Sequence, residues 1–233
     1  MNKQQAQNII HFWFDHNSPI PTPKEKKIWF FKKFDHQISS QFKPLIPTLS
    51  PNLPNNLQHL LQLFSKLTSN INHHNPKDIC LSIDQYVYIT FQTILAYIIL
   101  FDQMAKNIFR NQSEAFQFQN TISNFSLNFL KSIHPNILQQ IATPKQFHFI
   151  ILSIIHQENL SNFQFIKTYS QQFFQNQSPQ IQENIYIPLQ NSISKHKNIL
   201  QQFNRYPKRN NILNRQSTPE EELYITQSQN KFL

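Results

Sequence analysis

Residues 87–101 read VYITFQTILAYIILF, and residues 102–110 continue as DQMAKNIFR. The first fifteen residues are almost wholly apolar, interrupted only by Thr90, Gln92 and Thr93. A helix needs about 20 apolar residues to cross a bilayer. Since this run is shorter, we predict a helix buried in the core of a globular protein, and no membrane span.

Helical periodicity extends to both sides of this core segment. Apolar residues recur every three or four positions in residues 3–16, 25–43, 57–67, 116–129, 144–155, 160–175 and 189–203. Residues 44–54, rich in proline, and the polar residues 70–77 are predicted loops. No stretch alternates as a strand would, and no repeat of fixed period is visible. The prediction is a single all-α domain over residues 1–233, with about 9–10 antiparallel helices and no sheet.

Helix ends show specific local signals. Thr143 and Thr218 each precede a proline, which is the preferred order of N-cap and first helical residue. The chain has no glycine, so positive backbone φ angles must be adopted by another residue. Asparagine tolerates that conformation better than most, and we predict it for Asn111, Asn204 and Asn214.

The lack of glycine also excludes several classes of function. A phosphate-binding Gly-rich loop, a dinucleotide-binding fingerprint and a Gly-bracketed nucleophilic serine all require it, and we predict no cofactor. The single cysteine, Cys80, cannot form a disulfide within the chain, and no signal peptide is apparent. Both features indicate a cytoplasmic protein.

The formal net charge of +9 arises mainly from lysine. Five lysines cluster around Trp29, Phe30 and Phe31: Lys24, Lys26, Lys27, Lys32 and Lys33. Interleaved basic and aromatic residues are typical of some nucleic-acid-binding surfaces. However, these aromatic residues lie on the helical stripe that we assign to the core. We therefore interpret the lysines as a solvated face and expect no nucleic-acid partner.

The first block of residues suited to binding or catalysis directly follows the core segment. Asp102, Lys106 and Arg110 are spaced i, i+4, i+8 and would line one helix face, with Gln103 and Asn107 beside them. One interpretation is an exposed helix end with local ion pairs. The other is the polar wall of a cleft.

The second block is His156-Gln157-Glu158, at the end of a predicted helix. A His and a Glu two residues apart do not share a helical face, and two His four residues apart, a common metal-binding spacing, are missing. We predict no metal site. His156 is either structural or part of a pocket, and Glu158 is a partner for an arginine.

The third block, residues 203–221, contains three of the four arginines, whereas the other seventeen cationic residues are lysines. Arginine offers a planar fork of donors that suits carboxylate or phosphate. Arg205 and Arg209 flank Pro207, and Asn210 and Arg215 follow. The block is either an interhelix corner, whose arginines bind helix carbonyls and nearby carboxylates, or an anion-binding cradle.

Together these blocks resemble, in sequence order, the bacterial domain-of-unknown-function family 924. The matching stretches are 11–14, 29–38, 100–103, 107–110, 156–158, His196 and 203–221. The resemblance implies a tetratricopeptide-like superhelical fold of antiparallel helices, and implies no established biochemical role. The family's usual arginine before Asn107 is Lys106 here, which replaces a bidentate fork by a point charge.

Three hypotheses about function follow. The first is a binding protein for a small anionic ligand, a peptide or a protein, in which the arginines bind a carboxylate or phosphate while Asp102 and Glu158 hold them in place. Its predicted site consists of Asp102, Gln103, Asn107, Arg110, His156, Glu158, Arg205, Arg209, Asn210 and Arg215. The second is a hydrolase or transferase of a small anionic metabolite, with His156 or Glu158 as general base; no catalytic residue is assigned. The third is a buried ion network that fixes helix register.

Overall fold

The computed structural model describes residues 1–15, 18–69 and 85–228. All regular structure within these ranges is helical and none of it is a strand, which confirms the all-α prediction. The α-helices of the described ranges are α1 (Lys3–Trp13), α2 (Pro23–Phe30), α3 (Asp35–Phe42), α4 (Leu45–Leu49), α5 (Leu53–Thr68), α6 (Gln85–Ile98), α7 (Ala105–Ile108), α8 (Gln119–Ser132), α9 (Pro135–Ile141), α10 (Pro144–Ile155), α11 (Phe163–Phe174), α12 (Pro179–Ile181), α13 (Ile187–Phe203) and α14 (Pro219–Ser228).

The most apolar segment of the chain lies at the centre of the fold. A π-helical segment, Ile99–Met104, joins α6 to α7, so that one helical run of 24 residues extends over Gln85–Ile108. This run is longer than the apolar stretch read from the sequence, and its most apolar window of 18 residues has a mean hydropathy of 1.4, which would suffice for a membrane span. However, 78% of its most apolar window is buried inside the protein. It packs against α1, α5, α8 and α10, as the core helix of a globular protein does.

Aromatic side chains dominate the packing around this helix. Phe147 stacks on Phe173 with ring centroids 4.0 Å apart, and Phe64 meets Phe129 edge-on at 5.1 Å. Such pairs add about 0.5–1.5 kcal/mol beyond the burial of their area. Buried apolar side chains from α1 to α13 belong to one continuous core. The single-domain organisation and the tetratricopeptide-like arrangement stay predictions.

The predicted helix caps and asparagine turns are present. The Thr143 hydroxyl accepts from the backbone N–H of Gln146, whose side chain in turn accepts from Thr143 N–H. Asn111, Asn204 and Asn214 adopt φ angles of 62°, 56° and 52°, which confirms their assignment as the glycine substitutes of this chain.

Two local predictions near the N-terminus were wrong. Residues 44–54 are helical rather than a loop, because Pro47, Pro51 and Pro54 all lie in first turns, where a helix needs no N–H donor. Residues 25–43 do not form one helix, because Phe31 takes an extended conformation with φ −105° and ψ 125°.

Part of the chain lies outside the described ranges. The predicted polar loop at 70–77 and Cys80 fall there. The described elements that position the candidate site are the C-terminal end of the core run, the end of α10, and α13 with residues 204–218 after it.

Candidate functional site

The Asp102 carboxylate is the most enclosed charge of the site. It lies in the π-helical segment, and its side chain is 0% exposed. It accepts from Lys106 Nζ one turn further on and from the carboxamide of Gln103. The Nδ1 atom of His156 lies 3.0 Å from Oδ2 and 3.1 Å from Oδ1. A π-bulge often marks a functional position in a helix, and here it presents the carboxylate to α10.

Lys106 and His156 both contact the Asp102 carboxylate, and they also contact each other. Lys106 Nζ contacts Asp102 and also lies 3.0 Å from Nδ1 of His156. Burial opposes ionisation of Asp102, but its interactions with His156 and Lys106 outweigh that effect and hold its pKa well below the usual range. Burial lowers the pKa of Lys106 to about 8 although Asp102 opposes the shift, and it lowers the pKa of His156 to about 4. The His156 imidazole is therefore neutral at pH 7.

A second imidazole lies beside the first. The rings of His156 and His196 are 5.9 Å apart between centroids, and His196 meets Tyr206 edge-on at 5.5 Å. Nδ1 of His196 is 2.8 Å from the Ser192 carbonyl oxygen, which can only accept, so this nitrogen bears the proton. Nε2 of His196 is then an acceptor, and it has no hydrogen-bond partner among the described residues. Burial lowers the pKa of His196, and Arg209, Lys195 and Lys106 lower it further.

Arg209 stacks between two aromatic rings. Its guanidinium carbon is 4.7 Å from the ring centroid of Phe116 and 4.5 Å from that of Tyr206. Among the described residues, no carboxylate forms a salt bridge with it. Burial lowers its pKa, while the charges of Glu158 and Asp102 oppose the shift. Arg209 is thus held by contacts to the two flat faces of its guanidinium, and its N–H edge forms no salt bridge with a carboxylate in the part of the chain that the structure describes.

The other three arginines each form a salt bridge with a carboxylate. Arg110 is bound to Asp35, Arg205 to Glu221 and Arg215 to Glu158. These partners differ from those that we predicted, since Asp102 binds Lys106 and His156, and Arg215 is the arginine that forms a salt bridge with Glu158 among the described residues.

Arg110 turns away from Asp102. α7 ends at Ile108, and Phe109 leaves the helix with φ −109° and ψ 35°. Nε and Nη2 of Arg110 donate to the two Asp35 oxygens at 2.5 and 2.9 Å, and Asn107 Nδ2 donates to Oδ1 of the same carboxylate at 2.9 Å. The predicted single face with Asp102, Lys106 and Arg110 is therefore wrong for Arg110.

Glu158 joins α10 to the C-terminal block. Oε1 accepts from the backbone N–H of Tyr206 at 2.9 Å, and Nη1 of Arg215 donates to both carboxylate oxygens at 2.9 and 3.0 Å. The Tyr206 hydroxyl donates to the carbonyl of Ile155. These contacts fix the Tyr206 ring on which Arg209 stacks.

A further network fixes the turn after α13. Nε and Nη2 of Arg205 donate to the two Glu221 oxygens at 2.6 and 2.7 Å, and Asn210 Nδ2 donates to the same carboxylate at 3.1 Å. The Thr218 hydroxyl accepts from Glu221 N–H, while the Glu221 side chain accepts from Thr218 N–H, forming a capping box at the predicted helix start. The hydrogen bonds from Arg205 lower the pKa of Glu221 to about 2.

The family described as "Bacterial protein of unknown function (DUF924)" matches residues 9–229. The chain belongs to the DUF924 family.

A solved structure of another protein of unknown function, ATU0120 from Agrobacterium tumefaciens, is similar to this DUF924 chain. The two share 17% sequence identity with a TM-score of 0.58, and the match covers 97% of each chain. That likeness shows the fold alone. No curated protein matches the sequence.

The blocks of this DUF924 chain that were singled out from the sequence are in contact. Asp102, Gln103, His156, Glu158, Arg209 and Arg215 lie around α10's end. Arg205 and Asn210 lie in the adjoining Glu221 network, and Asn107 and Arg110 face Asp35. Their role in binding a ligand stays a prediction.

Sequence reasoning missed several members of this DUF924 site. Asp35, Glu221 and Phe116 were not selected as site residues, and His196 and Lys106 were noted without a role. The scarcity of acids, twelve in the whole chain, is a usable signal, because each isolated carboxylate is a candidate partner for an arginine. Among the described residues no group of three or more His, Cys, Asp and Glu side chains is placed to hold a metal ion.

Proposed function

We propose that this protein binds a small molecule or a peptide through a carboxylate or phosphate group held by Arg209. The observation that supports this most directly is the contrast among the four arginines. Arg110, Arg205 and Arg215 each engage a carboxylate of the protein, whereas the N–H edge of Arg209 has no salt-bridge partner among the described residues. A guanidinium with its donors unused is suited to bidentate recognition of an external anion.

The surroundings of Arg209 favour an anion. Lys106, Arg209 and Arg215 contribute three positive charges, and Asp102 and Glu158 contribute two negative charges, which leaves one positive charge in excess. The pKa of each neighbouring imidazole is lowered, chiefly by burial, so that they add no charge at neutral pH and can serve as hydrogen-bonding groups. An anion would restore neutrality, and partial burial would strengthen its attraction.

Access from solvent is also consistent with a binding site. The side chains of Lys106 and His156 are 24% and 15% exposed, and Arg209 and His196 are partly exposed. The site is thus shielded without being closed. We further propose a cytoplasmic location, in keeping with the single cysteine.

The test is a thermal-shift measurement with inorganic phosphate and with mono- and dicarboxylates, comparing the wild type with Arg209→Lys and Arg205→Lys. A ligand at about 100 times its Kd stabilises the folded state by about 2.7 kcal/mol, or roughly 5–10 °C in Tm for a chain of this size. We expect Arg209→Lys to abolish the shift. Arg205→Lys should lower the starting Tm but keep the shift. A shift that survives in Arg209→Lys would contradict the proposal.

One observation favours an enzyme as the second candidate. Asp102 contacts Nδ1 of His156, and Nε2 of this imidazole has no hydrogen-bond partner among the described residues. A carboxylate that orients a neutral imidazole is the usual arrangement of a general base. Glu158 is less suited to that role because Arg215 and Tyr206 N–H engage it.

The enzyme hypothesis has a separate test. p-Nitrophenyl phosphate, an anion, reports hydrolysis of a phosphate ester, and p-nitrophenyl acetate, a neutral ester, reports hydrolysis of a carboxylic ester. Turnover by the wild type that disappears in His156→Gln, with phosphate binding retained, would support a hydrolase. Turnover that is unchanged in His156→Gln would exclude His156 as the base.

A further inference from the structure

A basic and aromatic surface surrounds α2, at the other end of α10 from the anion site. Phe30 and Phe31 are 69% and 55% exposed, so our prediction that these two rings belong to the core was wrong. The lysines that accompany them are all exposed: Lys24, Lys26, Lys27, Lys32 and Lys33. We refer to these five lysines and two phenylalanines as the α2 patch.

The one acid among residues 24–33 does not neutralise the α2 patch, although the charge of Asp35 just beyond it interacts with Lys32. Glu25, the acid among these residues, is 2% exposed, and Lys145 Nζ binds its Oε1 at 2.7 Å. The other oxygen of Glu25 accepts from the backbone N–H of Thr22 at 2.6 Å. The surface therefore has five exposed positive charges within ten residues, next to two exposed rings.

A cavity of about 200 Å³ opens beside the patch. Trp29, Phe30 and Phe149 form aromatic walls, and Lys26 also lines it. Trp29 is held in place by its Nε1–H, which donates to the Trp13 carbonyl at 2.9 Å, and its ring meets Phe149 at 4.7 Å. The walls are thus positioned before any ligand enters, and the volume suits one planar ring system rather than a drug-sized molecule.

The same cavity has a polar edge. The His148 imidazole has no hydrogen-bond partner among the described residues, and burial lowers its pKa to about 4. It is therefore neutral, with one donor and one acceptor. Asn184 also lines the cavity; its Nδ2 donates to the Gln180 carbonyl, and its Oδ1 remains available as an acceptor. These groups match the hydrogen-bonding edge of a nucleobase.

We infer that the α2 patch binds single-stranded nucleic acid, with one unstacked base in the Trp29–Phe149 cavity and the backbone phosphates on the lysines. Aromatic walls stack on bases, and lysines follow the phosphate backbone in proteins that bind single strands. A duplex is disfavoured because its bases are not free to enter. A lipid surface is disfavoured because it offers no partner for His148 and Asn184.

This site is independent of the proposed anion site. His148 and His156 lie eight residues apart on α10 and its cap, which corresponds to about 12 Å along a helix axis. None of the groups around Arg209 lines the cavity. Failure of one proposal therefore leaves the other intact.

The experiment uses fluorescence anisotropy of a labelled single-stranded oligouridine of twelve nucleotides, together with tryptophan emission. The chain has two tryptophans, Trp13 in the core at 1% exposure and Trp29 at the cavity, so quenching reports mainly on the cavity. We expect binding at low salt. The logarithm of the association constant should fall linearly with the logarithm of the salt concentration, with a slope of roughly −0.7 per phosphate contacted. Phe30→Ser should weaken binding at least about 5-fold, because stacking on one base is lost.

Matched variants distinguish the effect of losing a stacking ring from the effects of losing positive charge and of unfolding the protein. Lys26→Gln with Lys27→Gln should weaken binding and reduce the salt dependence, whereas Lys66→Gln with Lys167→Gln, at exposed positions elsewhere, should not. Leu223→Ser, at a position 59% exposed, controls for loss of an exposed apolar side chain. Phe30→Ser should keep the wild-type Tm, because Phe30 lies largely in solvent.

Several results would overturn the inference. They are the absence of oligouridine binding at low salt, equal affinity for a duplex of the same length, and binding that Phe30→Ser leaves unchanged. If uridine monophosphate binds as tightly as the oligouridine, the ligand of the cavity is a free nucleotide, and the proposal of a single-stranded nucleic acid is rejected. Preferential binding to vesicles containing phosphatidylserine would assign the patch to a membrane surface instead.

Discussion

The Oδ2 atom of Asp102 lies 3.0 Å from Nδ1 of His156, although the two residues are 54 positions apart in the chain. This contact joins the end of the core helical run to the end of α10, and Lys106 lies between the two groups. The buried Asp102 carboxylate and the Lys106 ammonium require each other as counter-charges, and the neutral His156 imidazole contacts both.

The first prediction concerns this set. Asp102→Asn leaves the Lys106 ammonium without its counter-charge, and we expect a loss of about 3 kcal/mol in unfolding free energy, measured by urea denaturation. The double variant Asp102→Asn/Lys106→Met should be more stable than the sum of the two single losses implies. Asp35→Asn, in the more exposed pair with Arg110, should cost less, about 1 kcal/mol. Additive single losses would show that the two groups are not coupled.

The second prediction compares two arginines of the C-terminal block. Arg205→Lys removes the fork that binds both oxygens of Glu221, together with the contact to the Gln216 carbonyl. Arg209→Lys removes stacking on Phe116 and Tyr206 but breaks no salt bridge among the described residues. We therefore expect Arg205→Lys to lower Tm more than Arg209→Lys does. The reverse order would show that Arg209 is primarily structural.

Helix ends could be predicted from the sequence because their signals are local. Thr143 before Pro144, and Thr218 three residues before Glu221, specify reciprocal hydrogen bonds within a single turn. The positive φ of Asn204 could be predicted in the same way, because a helix end that needs this conformation must use another residue in a chain without glycine. The concentration of arginine in two blocks, and of scarce charged and His residues in the third, also indicated which segments would meet.

The pairing of those arginines could not be predicted, because it depends on distant geometry. Asp35 and Arg110 are 75 residues apart, and their contact requires the chain to turn out of the helix at Phe109. The π-helical segment also matters, since each residue in a helix rotates the chain by about 100°. A pattern read with a regular 3.6-residue period therefore assigns the wrong faces beyond such a segment. Phe30 and Phe31 are exposed for a similar reason: the helix breaks at Phe31, so a regular helical period no longer gives the correct face.

The third prediction tests the asparagine turns. Asn204 ends α13 with φ 56° and ψ 8°, and it is exposed. Asn204→Gly should leave stability unchanged within about 1 kcal/mol, because glycine adopts this conformation freely. Asn204→Ala should cost about 1 kcal/mol, since a β-carbon disfavours the left-handed region. Thermal unfolding of the two variants decides the matter, and a more stable alanine variant would contradict the assignment.

The last prediction is a dependence of stability on pH with two windows. The pKa of both His148 and His156 is lowered to about 4, whereas an imidazole in the unfolded chain has a pKa near 6.5. Between these values the unfolded state binds more protons, so stability is complete above pH 6.5 and falls as the pH drops toward 4. The slope reaches about 1.4 kcal/mol per pH unit for each imidazole. The pKa of Glu221, lowered to about 2 chiefly by Arg205, adds a separate loss as the pH falls from 4.5 toward 2.

Urea midpoints at closely spaced pH values can resolve the two windows. His148→Leu and His156→Gln should each flatten the profile between pH 6.5 and 4, and neither should change the loss at lower pH. Glu221→Gln should do the opposite, lowering stability at pH 7 and removing the loss below pH 4.5. His36→Gln, a substitution of the same type at an exposed position, should leave the profile as in the wild type. A wild-type profile that is flat from pH 7 to 4 would mean that the fold does not lower the pKa of these imidazoles. His156, proposed as an uncharged partner of an anion beside Arg209, would then gain its charge below about pH 6.5.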